Sequence, residues 1–449
     1  MRRMPRLSSR ARFAAVATLL VATALAGGLV FALSRDGEEP QTRAGRWQAD
    51  LRFLEREMRA RHPDVFFSLP EEEFERRVDL LAHRIPSLTD AELVFEFASL
   101  VASISAKGRD GHSHVHVLFG ALPTPSEVFP LRLYWFSDGL VVADAMEPYD
   151  ELIGWRVVGI GASTIDQAIE AVSPAIALDN EMTFRARVPL FLVSATLLEG
   201  AGVVPAAAPV RWRLADERNE ELVREIAPVE ERAFLSWLFA RSPRGVLPPV
   251  EGKPTPFALR NLEEAFWASL VPGSNVLYVG YNEVREETRS GESLAEFARR
   301  LVRLANHHGV EHVVIDLRYN DGGDNTTYGP LLETLGDEAI DRTGRLFALI
   351  GRRTFSAAGN FATELERTTG AVFVGEPAGT SPNEYGDADP FRLPHSGLVV
   401  GISTRYHEKS EPDDARLTIE PDLPVPLSSE EYFAGRDPAL DAILEPTAD

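Results

Sequence analysis

Between residues 275 and 377 the sequence repeats one alternation: an uninterrupted apolar run, then a segment with helical spacing. SNVLYVGY, EHVVIDLRY, RLFALIG and AVFVGEP are apolar at successive positions, so as strands they have no face to give to water. Between them lie SLAEFARRLVRLANHHG, TYGPLLETLG and SAAGNFATELERTTG, whose apolar residues recur at helical intervals. Strands of this kind separated by helices predict an α/β domain, over residues 272–445, whose sheet is covered on at least one face.

At 449 residues the chain has room for further units. Residues 45–120 read as a helical segment. Leu51, Leu54 and Met58 share one helical face, Phe74, Val78, Leu81 and Ile85 continue the pattern after Pro70, and Thr89 and Asp90 offer a cap for Leu93 through Ile104. At Gly111 the period changes, and HSHVHVLF alternates like a strand. Residues 121–250 read as a β-rich middle domain, from FPLRLYWF, GLVVADAM, GWRVVGIG and VRWRLADE. Within it GWRVVGIGASTIDQAIEAV, a strand, a tight turn and a capped helix, resembles the end of a PDZ-type peptide-binding module. The stretch from Pro243 to Pro256 reads as a linker.

Arg2, Arg3, Arg6, Arg10 and Arg12 precede an uncharged run from Phe13 to Leu33. A basic end and an apolar segment about long enough to cross a bilayer predict a signal peptide or membrane anchor over residues 1–35. Ala24-Leu25-Ala26 is the candidate cleavage site. Cleaved or retained, the leader places the bulk of the chain outside the cytoplasm, and if uncleaved it ties the protein to the membrane. The net charge of −22 argues against nucleic acid or an anionic membrane surface as the main partner. With no cysteine, disulfides, thiolate metal sites and a thiol nucleophile are excluded.

Three segments carry the chemistry. In RRTFSAAGNFA, Ser356 starts a helix, as a cap or as a nucleophile at the positive helix end. The residue three positions on is Gly359, not the Glu or Gln of a capping box. In DLRYNDGGDN, an apolar strand ends in paired glycines, which suit either an ordinary turn or a set of N–H donors for an oxyanion. In DGHSHVHV, His112, His114 and His116 fall on one face if the segment is a strand. A zinc-dependent hydrolase of the HxH type is one rival reading of those histidines. An α/β-hydrolase order of Ser356, Asp387 and then His395 or His407 is another, although the serine lacks the G-x-S-x-G elbow.

Taken in order, IDLRYNDGG, TFSAAGNFA, VGEPAG and IEPDLPVPL resemble the C-terminal processing (tail-specific) serine protease family. DGHS resembles the corresponding segment of its tricorn-core-like, Ser-His branch. The resemblance covers most of residues 47–440. It implies a ClpP/crotonase-like catalytic domain and an extracytoplasmic serine peptidase acting on peptides or unstructured protein tails, without metal or organic cofactor. Ser356 matches the nucleophile and His112 the general base, and the N–H groups of Gly323 and Ala357 match the oxyanion hole. The lysine base of the Ser-Lys branch has no counterpart in GEPAGTSPNEYGD, and Lys409 lies too far along. Two departures stand out. Gly111 replaces the serine that precedes the histidine in tricorn-type enzymes, and the acid nearest the expected third position is Asp414, with Asp413 beside it. Gly359 stands where a larger residue is expected, which would widen the pocket. A relative that binds peptides or apolar ligands without cutting them is the alternative reading of the same motifs.

Overall fold

The computed structural model describes residues 40–117, 126–206, 209–307, 309–337, 340–341 and 345–444; the signal peptide or membrane anchor expected over 1–35 lies outside them. Among the described residues no helix is long and apolar enough to cross a membrane.

The N-terminal segment forms α1 (Arg43–Arg61), α2 (Glu71–Arg84) and α3 (Asp90–Ala102). At the start of α3, Thr89 Oγ1 accepts the Glu92 N–H (3.2 Å) while the Glu92 carboxylate accepts the Thr89 N–H (2.7 Å), a reciprocal capping box. Leu54, Met58, Phe74 and Phe97 are fully buried in one core, which also takes in Val115, Leu398, Val400 and Ile402. Strand β1 is only His114–Val115, shorter than the alternation of HSHVHVLF predicts.

The middle domain follows with β2 (Leu131–Phe136), β3 (Gly139–Ala145), β4 (Arg156–Ile160), α4 (Ile165–Val172), α5 (Glu181–Val193), β5 (Val210–Ala215), β6 (Glu221–Ile226) and α6 (Glu231–Arg241). The five strands form one antiparallel sheet in the order β2-β3-β4-β5-β6. The domain is less purely β than its sequence suggests. α5 carries Pro189 in its interior and lacks a clean apolar stripe, yet Val188, Leu192 and Val193 bury against the sheet with Leu131 and Trp212. Tertiary burial outweighs the local signal there.

After residues 242–256, β7 (Phe266–Leu270), β8 (Val276–Tyr281), α7 (Leu294–His307), β9 (His312–Asp316), α8 (Gly329–Leu335), β10 (Leu346–Ile350), α9 (Ala357–Thr368) and β11 (Val372–Gly375) follow the predicted alternation. β12 (Asn383–Gly386), β13 (Asp389–Arg392), β14 (Val399–Ile402), β15 (Arg405–Glu408), β16 (Leu423–Pro424) and α10 (Pro438–Leu444) complete the chain. The main sheet runs β7-β8-β9-β10-β11-β16, with β7 antiparallel and the other pairings parallel. Leu277, Val279, Val313 and Ile315 face the core made by α7, α8 and α9. Val276, Tyr278 and Val314, one step out of phase, pack against α10 and Phe257. Both faces are covered, which is why these strands are apolar throughout.

The N- and C-terminal parts are joined through small sheets. β1 pairs antiparallel with β14, His114 opposite Gly401; β14 pairs with β13, and β12 pairs with β15. The segment bearing His112 is thereby seated on residues 389–402.

Candidate active site

β9 and β10 pair in parallel, so their carboxyl ends lie side by side, where open α/β sheets present ligands. Beyond β9 the buried Asn320 side chain donates to the Tyr281 carbonyl (2.8 Å) and accepts the Gly322 N–H (3.0 Å). This fixes a turn through Gly322 at φ 109° and Gly323 at φ 143°, angles that side chains rarely tolerate. Contact adds a second reason at Gly322, where a Cβ would lie 2.7 Å from the Ser356 Cβ and 3.0 Å from the Ala357 nitrogen. On the other side the Val284 N–H donates to the Gly322 carbonyl (3.0 Å), and the Val284 carbonyl accepts the Asp324 N–H (2.8 Å).

Beyond β10 the chain turns into Ser356. The Thr354 hydroxyl donates to the Leu317 carbonyl (2.9 Å), and the Phe355 N–H donates to the Asn320 carbonyl (3.2 Å). The turn that carries Ser356 and the glycine turn are thus bonded to each other. Ser356 has φ 56° and ψ −130°, a strained conformation for a residue with a β-carbon. It occupies the cap position of α9, but its side chain makes no capping hydrogen bond. The N–H groups of Gly323 and Ala357 donate to no acceptor among the described residues.

His112 lies just outside β1, so the three histidines do not form one strand face. Its ring stacks on Phe355, with centroids 4.5 Å apart and planes 21° from parallel. Both ring nitrogens are shielded from solvent and have no well-aligned hydrogen-bond partner among the described residues. Burial pushes the imidazole down to about 4; the Asp110 charge opposes this and Arg187 reinforces it. The Arg187 guanidinium lies 5.6 Å over the same Phe355 ring. Asp110 itself is fully engaged. Its oxygens bond with His62 Nε2 (3.1 Å), the Ser403 hydroxyl (2.6 Å) and the N–H groups of His112 (3.2 Å) and Ser113 (3.0 Å).

The HxH pair does not converge on a metal-sized point. His114 Nδ1 faces the His112 carbonyl at 2.9 Å, and its ring lies against His116. The groups that do converge on His112 are two that sequence reading missed. One ring nitrogen of His112 and one oxygen each of Asp179 and Glu384 lie within 4.8 Å of one another. Both carboxyls are fully buried, and burial pushes both well above the usual carboxylate range. Neither has a local signature: Asp179 precedes a helix cap, and Glu384 sits in the turn-like SPNEYGD.

Several expected roles change. Asp414 is not presented to His112; the Ser410 hydroxyl (2.6 Å) and Arg416 Nε (3.1 Å) take its carboxylate, and the Arg416 bond holds its pKa far down. Asp413 is exposed. Gly359 does not widen a pocket, since a Cβ there would lie 2.0 Å from Thr380 Cγ2. Gly111 is explained by space as well, because a Cβ would lie 3.1 Å from the Phe355 ring and 3.3 Å from Asp179 Oδ2. Lys409 is committed to Glu364 (2.6 Å) and the Tyr328 hydroxyl (2.8 Å). Asp387 and His407 do pair, at 3.2 Å, and His395 gives its backbone N–H to Asp50 (2.9 Å).

No protein-family model and no curated protein sequence matches the chain. Among solved structures it is similar to mature CPAF complexed with lactacystin, at TM-score 0.61 and 12% identity over 89% of this chain and 97% of that one. Mature CPAF itself aligns at TM-score 0.60 and 13% identity over 89% and 96%. The likeness runs through all three parts of the chain, not the α/β domain alone. In fold, this chain stands with the C-terminal processing (tail-specific) proteases, of which CPAF is one.

Proposed function

We propose that the chain is a serine peptidase that cuts peptides or unstructured protein tails, with Ser356 as nucleophile and His112 as general base. The observation that carries this is the seating of the His112 ring on Phe355, the residue before Ser356. Two segments far apart in sequence meet at a strained serine on a helix N-terminus. His112 removes the Ser356 hydroxyl proton as Oγ bonds to the peptide carbonyl carbon. The oxyanion is received by the Gly323 and Ala357 N–H groups, which have no other acceptor among the described residues. The imidazolium then gives its proton to the leaving amine as the C–N bond breaks. His112 next takes a proton from the water that attacks the acyl carbon and returns it to Ser356 Oγ as the acyl–oxygen bond breaks. With its pKa pushed down to about 4, His112 is a neutral base at neutral pH.

In this reading residues 272–445 are a ClpP/crotonase-like catalytic domain, and the middle domain is a PDZ-like platform for the peptide. The enzyme works outside the cytoplasm, tethered or released by its leader, and its residues need no cofactor for these steps.

The test is a broad fluorophosphonate probe followed by mass spectrometry. Label on Ser356 that disappears in His112→Ala, but not in His407→Ala, is the expected result. An unlabelled Ser356 in a protein that still hydrolyses peptides would sink the assignment. Peptide binding without cleavage is the second reading, because no hydrogen bond joins Ser356 Oγ to either His112 nitrogen. Such bonds often form only once substrate is bound. Micromolar peptide binding with neither hydrolysis nor labelling would favour that second reading.

A further inference from the structure

His112 has an acid beside it, but that acid is two residues. Asp179 comes from the middle domain, immediately before α5. Its neighbour Asn180 fixes it in place, accepting the N–H groups of Met182 (2.9 Å) and Thr183 (3.0 Å) and donating to the carbonyls of Ala378 (3.0 Å) and Leu417 (2.7 Å). Glu384 comes from β12. Each carboxyl has one oxygen satisfied by the protein: Asp179 Oδ1 accepts the Gly111 N–H (3.0 Å), and Glu384 Oε2 accepts the Thr380 hydroxyl (2.7 Å). The other oxygens, Asp179 Oδ2 and Glu384 Oε1, are buried with no donor among the described residues, each carboxyl facing the other, and both ring nitrogens of His112 are likewise without a well-aligned partner.

Four unsatisfied polar atoms at one buried place are costly unless protons are shared among them. Two carboxylates this close and this deeply buried do not both ionise. Asp110 is unavailable as the orienting acid, since its oxygens already serve His62, Ser403 and two backbone N–H groups. The bare Gly111 leaves Asp179 Oδ2 free to approach, 3.3 Å from where a side chain would begin.

We propose that Asp179 and Glu384 act as one acid, sharing a single proton and turning a single negative charge toward the His112 imidazole. The pair positions the base and balances the imidazolium formed when His112 takes the Ser356 proton; the shared proton stays within the pair throughout. This rests on the peptidase reading for its catalytic consequence, but the electrostatic arrangement can be measured without turnover. Asp110, Arg187 and His407 also act on the ring and are left unchanged in the variants.

The experiment compares Asp179→Asn, Glu384→Gln and the double variant in the full chain. Either single amide keeps one carboxylate in the pair, so turnover falls no more than about tenfold. The double variant has no charge to offer, and kcat falls by about 10³-fold or more, as when a histidine loses its orienting acid. Without that charge the imidazolium is less favoured, so the acid limb of kcat/KM moves to lower pH. Imidazole NMR in the inactive Ser356→Ala background reads the same change as a lower His112 pKa in the double variant. Infrared spectroscopy at neutral pH should find a protonated carboxyl in the wild type that is lost in Glu384→Gln, which keeps the test open if the double variant does not fold. A double variant within threefold of wild-type turnover, with His112 titrating unchanged, would make the pair mere packing. The absence of the protonated carboxyl, or a stoichiometric divalent metal that is lost in Glu384→Gln, would also overturn the proposal. Peptidase activity that survives Ser356→Ala would sink the functional reading while leaving the NMR and infrared results to stand alone.

Discussion

Arg353, in the turn that carries Ser356, holds Asp321, in the turn that carries Gly323, with Nε 2.9 Å from Oδ1 and a second bond through Nη2. The same guanidinium donates to the carbonyls of Gly245 (3.1 Å) and Arg244 (3.0 Å). One cation thus sets the spacing between the candidate nucleophile and one of its oxyanion donors, and ties both to the segment entering from the middle domain. Arg353→Ala is expected to lower kcat by about 10- to 100-fold with a smaller change in KM, because the donors act chiefly on the transition state. Arg353→Lys should recover little, since an ammonium cannot reproduce the paired bonds. Steady-state kinetics on a peptide substrate decides; a change confined to KM would contradict this role.

The strain at Ser356 separates stability from activity. With φ at 56°, Ser356→Gly should raise the unfolding free energy by about 1 kcal/mol while abolishing turnover. Ser356→Ala keeps the β-carbon and the strain, so it should lose about 10⁴- to 10⁶-fold in turnover without that gain. Denaturant titration of the two variants gives the comparison, and equal stabilities would mean the turn relaxes freely.

Gly359 links the helix that begins after Ser356 to the acid pair. Because its missing side chain makes room for Thr380, and Thr380 donates to Glu384, Gly359→Ala should cost about 1–3 kcal/mol through overpacking. It should also lower kcat by displacing that hydroxyl. Thermal melts and kinetics on the same preparation test both; a variant as stable and active as wild type would show that α9 has slack.

The buried His112 gives a pH signature of definite sign. Its pKa falls from 6.5 to about 4 on folding, through burial first. The folded state therefore binds fewer protons than the unfolded chain between those values. The contribution of this site to stability is complete above 6.5 and is lost as pH falls toward about 4. Activity needs the neutral ring, so the acid limb of kcat/KM should lie near pH 4, well below that of an ordinary histidine base. A limb near 6.5 would mean that water or the charge of the Asp179–Glu384 pair favours the imidazolium more than burial opposes it.

The main sheet is legible in the sequence because burial on both faces leaves Val276–Tyr281 and His312–Asp316 no polar phase. Ser356 and Gly323 are legible for a related reason, since each follows the end of such a strand. The acid pair is not. LDNEMT reads as an acidic helix start, because Asn180 does cap α5. Nothing local distinguishes an exposed Asp179 from a buried one. Glu384 looks like a solvated turn residue until β12 pairs with β15 and Thr380 comes to meet it. Both carboxyls acquire their character from contacts across the chain, where no period or spacing operates. α5 fails differently: Pro189 hides a helix that only burial against β2 reveals.

The pairing of β1 with β14 has a consequence in time. The hydrogen bonds that seat the His112 segment come from residues 399–402, and Ser403 supplies the hydroxyl that holds Asp110. A chain made only as far as its serine has the Phe355 ring and Asp179 to hold the histidine segment, but still lacks the strand that pairs with His114 and Val115. The strand that seats the histidine is therefore made after the serine itself, so the candidate site is assembled only once residues 399–403 have followed it.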